Sequence, residues 1–326
     1  MSKWGIAGTG FISHAMLGAI ARREGSEAVA ISGRSAETRV ELQAQYGIGT
    51  GVETVAELAA LPDVDAIYIG LPNHVHREAS EVALAAGKAV LCEKSLTTTY
   101  EDAKALVDTA AASGQFCVEG LMYLAHPIYQ TLVDVLQSED VGELRRITGF
   151  YAADIWQVVN PAGKGTLYNL GCYPASLMHL VVQTMCGDEM FSARSLTAKG
   201  NVNEDGNVCD TAVSVSFDNG VLASIHSTDS YGMAHEFVIA TTKGTIRFDY
   251  NPWLPDAEAN GFTWRGYDGS EKRFSEDAPG DAFDHQLEMV EASLATGLTQ
   301  APRPSPRLKD SLEITRFLND WEAACA

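Results

Sequence analysis

The stretch Gly5-Ile-Ala-Gly8-Thr9-Gly10-Phe11-Ile12-Ser13 carries residue types that can bind a pyrophosphate. Glycines permit a tight turn after a strand and let the main chain approach phosphate oxygens. The helix that follows presents amide donors and a partial positive charge at its N-terminus. The spacing follows G-x-G-x-x-G from Gly8 and departs from it only at the last position, where Ser13 stands. Gly8, Thr9, Gly10, Phe11 and Ile12 are the residues expected at the phosphates. A second clue lies at the end of the next strand, which reads Ile31-Ser-Gly-Arg34-Ser35 and contains no acid. A carboxylate there would accept the ribose hydroxyls of NAD and repel a 2′-phosphate. Arg34 instead offers that phosphate a planar, permanently charged fork, and Ser35 a hydroxyl. The expected cofactor is NADP, with NAD as the alternative.

A glycine pattern of this length also occurs in ordinary strand-to-helix turns, so the surrounding elements must decide. Lys3 to Ala7 reads as a strand, about Phe11 to Arg23 as a helix and Ala28 to Ser32 as a strand, which is a βαβ opening. Further strands are expected at 66–70, 89–92 and 115–118, with helices near 36–46, 76–86 and 100–113 between them. Such alternation favours a parallel sheet covered by helices.

From about residue 121 the pattern changes. A helix near 126–138 precedes strand-like runs at 144–153, 193–199, 208–217, 221–228, 235–241 and 244–249. Turns such as Asp218-Asn-Gly220 and Thr242-Lys-Gly244 join consecutive runs, which implies antiparallel pairing. Helices at 281–296 and 306–323 close the chain.

The expected class is α/β: an N-terminal Rossmann, doubly wound parallel sheet over 1–120, and a C-terminal α+β domain over 121–326 built on a large, mostly antiparallel open sheet. That second sheet has more strands than its few helices can cover on both faces. An uncovered apolar face of that sheet is therefore expected to be buried by another subunit.

Composition narrows the function classes. The chain has 326 residues, 46% of them hydrophobic, enough for two packed cores. No apolar run approaches the roughly 18 residues of a membrane span, and the first is broken by Gly8 and Gly10. The expected location is the cytoplasm. A net charge of −20 disfavours nucleic acid and anionic membranes as partners, so an anionic ligand must find a local positive site. The six cysteines include no Cys-x-x-Cys pair and sit among apolar or small neighbours, as free buried thiols do. His74 and His76 lack further ligands at metal-binding spacing.

Downstream the chain reads Leu71-Pro72-Asn73-His-Val-His76, then Ala86-Gly-Lys-Ala-Val-Leu-Cys-Glu93-Lys94-Ser95, then Glu119-Gly-Leu-Met-Tyr, then Gly165-Thr-Leu-Tyr-Asn169-Leu-Gly-Cys-Tyr173-Pro. In order and spacing this resembles the glucose-fructose oxidoreductase, inositol dehydrogenase and MocA (Gfo/Idh/MocA) family, densely over residues 3–175 and loosely beyond. The resemblance implies that Leu71, Pro72, Asn73 and His76 line the cofactor cleft. It further implies that Glu93 and Lys94 belong to the motif placing a lysine beside the nicotinamide and the substrate. Ser95 replaces the proline of that motif, which leaves the shape of the loop open. Where many members carry Asp-x-x-x-His, this chain has Asn169 and Tyr173, as in the tyrosine-type dihydrodiol dehydrogenase-like and glucose-fructose oxidoreductase-like members. His179 lies six residues beyond Tyr173, about 240° round a helix, and is read as structural. The resemblance also implies a homodimer or homotetramer joined through the sheet of the second domain.

Hydride transfer at a carbon bearing oxygen requires a proton to move on that oxygen, and the cofactor performs only the hydride part. Within the family frame Lys94 is the cation and Tyr173 the proton carrier, since a neighbouring ammonium lowers a phenol's pKa. Gly171 and Pro174 bracket Tyr173 in a turn entering a helix, which would aim the ring into a cleft. Lys164, His126, Trp156 and Tyr123 are weaker candidates, each equally well a surface charge, a helix cap or a core aromatic. The expected activity is NADP-linked oxidation of a sugar or vicinal diol, or the reverse carbonyl reduction. The alternatives are a catalytically silent NADP-binding regulator or scaffold, and an NAD-dependent inositol-type dehydrogenase.

Overall fold

The computed structural model describes residues 2–258 and 260–325. Its contacts divide the chain into two units, Met1–Met122 with Phe283–Leu312, and Tyr123–Ala282 with Glu313–Ala326.

In the first unit β1 (Ser2–Ala7), α1 (Phe11–Arg22), β2 (Ser26–Ser32), α2 (Ala36–Tyr46), β3 (Thr50–Val52), α3 (Val55–Ala59), β4 (Ala66–Ile69), α4 (His76–Ala85), β5 (Ala89–Glu93), α5 (Tyr100–Ser113) and β6 (Cys117–Gly120) follow in order. The six strands are all parallel and ordered β3-β2-β1-β4-β5-β6. The order reverses direction between β1 and β4, so a crevice opens beyond their carboxyl ends, where doubly wound sheets bind ligands. The central strands are buried on both faces, which is why β4 and β5 read as continuous apolar runs rather than as alternations. β3 and α3 were not expected from sequence. β3 is three residues long, and α3 has five residues begun by a Thr54–Glu57 capping box, both too short for a period to show.

The second unit holds α6 (Ile128–Gln137), β7 (Leu144–Ala153), α7 (Cys172–Cys186) and the run β8 (Arg194–Val202), β9 (Val208–Phe217), β10 (Leu222–Thr228), β11 (Met233–Thr241), β12 (Gly244–Phe248), β13 (Phe262–Gly266) and β14 (Glu271–Phe274). Its eight strands are ordered β14-β13-β12-β11-β7-β10-β9-β8. Every pair is antiparallel except β7 with β10, which come together in parallel because β7 enters the middle of the sheet from far upstream. β13 and β14 extend the sheet beyond the expected strands. Their mixed aromatic and charged sequences, FTWRG and EKRF, hide the alternation.

The last two helices are α8 (Ala282–Ala295) and α9 (Leu308–Ala324). The contacts group residues 283–312 with the first unit, where a division at residue 120 had been expected. The reason lies in packing. Leu287 and Val290 of α8 join Trp4, Ile6, Met16 and Leu17 in one core, while Leu308 joins Ile67, Ile69 and Leu96 in another. Glu291 secures the join, accepting from Trp4 Nε1 at 3.0 Å, Arg23 Nε at 2.7 Å and Ser26 Oγ at 2.6 Å. No described helix is long and apolar enough to cross a membrane.

Candidate functional site

In the first unit the phosphate turn is built by β1 meeting α1. Gly8 has φ +113°, and a Cβ there would lie 2.5 Å from the Gly70 carbonyl oxygen, so only glycine fits. The turn is pinned at both sides: Gly8 N–H donates to Ser32 O at 2.9 Å and Gly70 N–H to Ala7 O at 2.8 Å. Gly10 caps α1 with φ −83° and ψ 177°, ordinary extended backbone, and a Cβ on it would meet nothing within 4 Å. The space above Gly10 is thus open for a ligand to approach the main chain. The first turn of α1 has no acid, and Phe11 stands 89% exposed beside it. The residues present fit the pyrophosphate of a dinucleotide.

Ser13, which replaces the third glycine, is fully buried, and a Cβ on Gly70 would come within 2.8 Å of its hydroxyl. The glycine needed for close helix-to-strand packing has moved across the interface to the end of β4. Among the described residues Ser13 Oγ finds no hydrogen-bond partner.

The turn after β2 leaves Arg34 and Ser35 exposed. Ser35 caps α2, its Oγ accepting from Thr38 N at 3.2 Å and Thr38 Oγ1 at 3.1 Å, and its own proton remains to donate. Arg39, which sequence reasoning missed, donates to the Gly33 carbonyl and braces the same turn. Its signal was its place one helical turn after the cap, on the face that looks back at the strand end. Gly33 itself is required by Thr9, whose Cγ2 would stand 2.6 Å from a Cβ there.

Leu71 is half-buried and Pro72 exposed, while Asn73 is buried at the head of a short 3-10 turn. His76 is wholly buried, with Nε2 2.7 Å from Leu71 O and Nδ1 3.0 Å from Ser95 O. Burial pulls its pKa down to about 4. The neutral ring carries a single N–H, which it can donate to one of these two carbonyls, and both nitrogens face the loops after β4 and β5 rather than outward. Lys94 follows β5 and is half-buried. Glu93 is buried beneath it, accepting from Tyr68 Oη at 2.8 Å and from Lys94 N–H at 3.2 Å; burial raises its pKa. The Lys94–Ser95 peptide is cis.

In the second unit a π-helical turn at Leu167–Gly171 runs straight into α7, so Tyr173 sits in a continuing helix rather than at the turn expected from Gly171 and Pro174. α7 reaches β7 closely because Gly149 faces Pro174: a Cβ on Gly149 would lie 3.1 Å from Pro174 Cβ. Tyr173 is only 7% exposed, and its ring lies among those of Tyr151 (5.5 Å between centroids), Tyr123 (5.7 Å) and Trp253 (6.1 Å). Tyr123 is a core aromatic whose hydroxyl donates to the Tyr173 carbonyl at 3.2 Å and meets Ser176 Oγ at 2.7 Å. Asn169 Nδ2 donates to Gly165 O at 2.9 Å, fastening the start of the π-helical turn. His179 is buried, with Nε2 2.8 Å from Glu313 and its ring against Phe191. His126 caps α6, accepting from Ile128 N–H at 3.2 Å. Lys164 pairs with Glu322 at 3.5 Å, and Trp156 is 52% exposed on a 3-10 turn.

These features can be set beside known proteins. Residues 2–121 match the profile of the Gfo/Idh/MocA oxidoreductase family with an NAD-binding Rossmann fold, and residues 129–247 match the Gfo/Idh/MocA C-terminal domain. The chain belongs to the Gfo/Idh/MocA family of NAD(P)-dependent oxidoreductases. It is 29% identical over 330 residues to an uncharacterised oxidoreductase, ORF334, of Rhizobium meliloti, covering 97% of this chain and 95% of that one. It is 26% identical over 335 residues to trans-1,2-dihydrobenzene-1,2-diol dehydrogenase of Xenopus tropicalis, with 98% and 96% covered. Among solved structures it superposes with a TM-score of 0.85 on a 3-ketoreductase from Actinomadura kijaniata in complex with NADP and TDP-benzene, at 22% identity, covering 99% and 97% of the two chains.

For this Gfo/Idh/MocA oxidoreductase the first unit thus brings together the phosphate turn, the acid-free turn after β2 and the loops after β4 and β5. Sequence reasoning also passed over Glu119, read only as part of a motif. It is buried at the end of β6, and its Oε1 accepts from Leu96 N–H at 2.7 Å.

Proposed function

We propose that the chain is a cytoplasmic, NADP-dependent oxidoreductase that transfers a hydride between the nicotinamide and a sugar, a vicinal diol or a related carbonyl compound. Residues 1–120 supply the cofactor-binding part, and 121–326 supply substrate binding and assembly. The observation that carries the choice of NADP is the acid-free turn after β2, with Arg34 exposed and Arg39 bracing it. Gly8, Thr9, Gly10, Phe11 and Ile12 hold the pyrophosphate, Arg34 and Ser35 the 2′-phosphate, and Leu71, Pro72 and Asn73 the loop beside it, with His76 and Glu93 securing the loops from beneath.

Bound NADPH would supply the hydride in reduction, and NADP+ would accept it in oxidation. Lys94 provides positive charge at the reacting oxygen, and Tyr173 gives that oxygen its proton in reduction or takes it in oxidation. The reading requires both side chains to attend one oxygen. Similarity to a dihydrodiol dehydrogenase along nearly the whole chain, and to a 3-ketoreductase in fold, supports this substrate class. That ketoreductase has also been crystallised as a lysine variant and as a tyrosine variant. Assembly as a homodimer or homotetramer through the face of the eight-stranded sheet completes the proposal. Along β9 that face carries the exposed Ala212, Ser214 and Ser216, between buried neighbours that point inward.

The test is a titration of NADPH and NADH followed by cofactor fluorescence, then a turnover screen of trans-1,2-dihydrobenzene-1,2-diol, aldoses and 2-oxoaldehydes with NADP(H). Tighter NADPH binding and turnover of at least one of these substrates are expected. Tighter NADH binding would return the inositol-type alternative, and tight NADPH binding without turnover the silent regulator. A monomeric mass by light scattering at micromolar concentration would refute the assembly.

A further inference from the structure

The segment Lys94-Ser95-Leu96 is gripped at three successive backbone groups by buried side chains. Lys94 N–H donates to Glu93, Ser95 O meets His76 Nδ1, and Leu96 N–H donates to Glu119 Oε1 at 2.7 Å. Glu93 and Glu119 come from adjacent parallel strands, β5 and β6, paired so that Cys92 faces Glu119 and Glu93 faces Gly120. Gly120 leaves Glu93 its place, since a Cβ there would stand 3.2 Å from Glu93 Cα and 3.4 Å from its Oε1.

Glu119 is 2% exposed, and holding one backbone amide with a carboxylate in such a place is costly. The groups facing it are Glu93 and Lys94 from β5 and its loop, the Leu96 amide, and Ser311 from α9; burial pushes its pKa up to about 7. Glu93 holds the lysine's own amide, while His76 at Ser95 O and Glu119 at the Leu96 amide hold the loop immediately after it.

We propose that Glu119 is a positioning residue for the oxidoreductase reaction: by holding the Leu96 amide it fixes the orientation from which Lys94 acts on the substrate oxygen. This rests on the reading that Lys94 works at that oxygen, so the test reads Lys94 in two separate ways. The first is competitive acetylation of the apo-protein, with Lys94 compared by mass spectrometry to the exposed Lys104. Glu119→Ala is expected to change the Lys94 rate threefold or more. Glu119→Gln retains an acceptor for Leu96 and should stay within 1.5-fold. Glu119→Asp keeps the charge but draws its oxygens back by one methylene, and should behave like the alanine variant; it also serves if Glu119→Ala does not fold. The second is turnover with the best substrate of the screen above. A tenfold or greater fall in kcat is expected for Glu119→Ala and Glu119→Asp, recovery to within threefold for Glu119→Gln, and an NADPH Kd within threefold of the parent throughout. An unchanged acetylation rate in folded Glu119→Ala and Glu119→Asp, or a Glu119→Gln variant as impaired as they are, would overturn the proposal. Parental kcat in Lys94→Ala would instead sink the catalytic reading of the lysine, while the acetylation comparison still decides whether Glu119 positions it.

Discussion

Gly8 and Gly10 stand two residues apart in the phosphate turn, and their surroundings predict opposite outcomes for the same substitution. At Gly8 an added methyl meets the Gly70 carbonyl oxygen at 2.5 Å on a backbone with φ +113°. Left-handed backbone costs a non-glycine residue about 1–3 kcal/mol, and displacing packed backbone about as much again. Gly8→Ala should therefore lose about 2–6 kcal/mol of stability. For a unit of this size that is a fall in Tm of roughly 4–24 °C. At Gly10 the same methyl meets nothing within 4 Å and the backbone is ordinary. Exchanging a glycine cap for alanine costs about 1 kcal/mol or less, so the Tm of Gly10→Ala should barely move. Its methyl would nevertheless occupy the space through which a pyrophosphate approaches the α1 amides. NADPH affinity should drop by about tenfold or more, about 1.4 kcal/mol. The assay pairs thermal unfolding by circular dichroism with NADPH fluorescence titration. Parental NADPH affinity in Gly10→Ala, or an unchanged Tm in Gly8→Ala, would refute this account of the turn.

Further outcomes follow from the same geometry. Arg34→Ala should weaken NADP by about 1.5–3 kcal/mol, as for a lost charged hydrogen bond, and leave NAD nearly unchanged; calorimetric titration of both cofactors decides, and equal losses would contradict it. Ser13→Ala removes a buried hydroxyl without a partner and improves helix propensity, so it should stabilise by about 1 kcal/mol or more in urea unfolding; destabilisation would show that the hydroxyl is satisfied. Glu119, raised to about 7 from an ordinary 4.5, contributes stability that is fully present below about pH 4.5 and lost as pH rises through 7. Relative to the parent, Glu119→Gln should thus gain up to about 3 kcal/mol between pH 4.5 and 8; equal slopes of unfolding free energy against pH would refute the shift.

Much of this architecture was legible because it repeats a period or a turn chemistry. The glycines between β1 and α1, the apolar runs of β4 and β5 and the glycine-bearing turns of the second sheet each announce their local structure. What stayed hidden depends on partners distant in sequence. The apolar stripe of α8, Leu287 and Val290, fits any apolar surface, and nothing in it names the Trp4 core it covers. Gly70 compensates for Ser13 across 57 positions, and Glu119 reaches the Leu96 amide across 23. The candidate site residues are readable only as a set of motifs. That His76 faces inward to two carbonyls while Lys94 stays half-exposed depends on how the loops after β4 and β5 pack together, which no motif states.

The central claim is that Lys94 and Tyr173 act together on one oxygen of an NADP-linked substrate, and a double-mutant cycle in kcat tests it most directly. Tyr173→Phe keeps the ring among Tyr151, Tyr123 and Trp253 but deletes the transferable proton, so kcat should fall about 10²–10⁴-fold with NADPH affinity largely kept. Lys94→Ala should fall comparably, and the double variant should lose less than the two single losses added, as groups serving one atom do. His179→Ala is the control, expected to lower stability through the lost Glu313 contact rather than the rate. Near-parental turnover by Tyr173→Phe together with an inactive His179→Ala, or strict additivity of the two losses, would contradict the account.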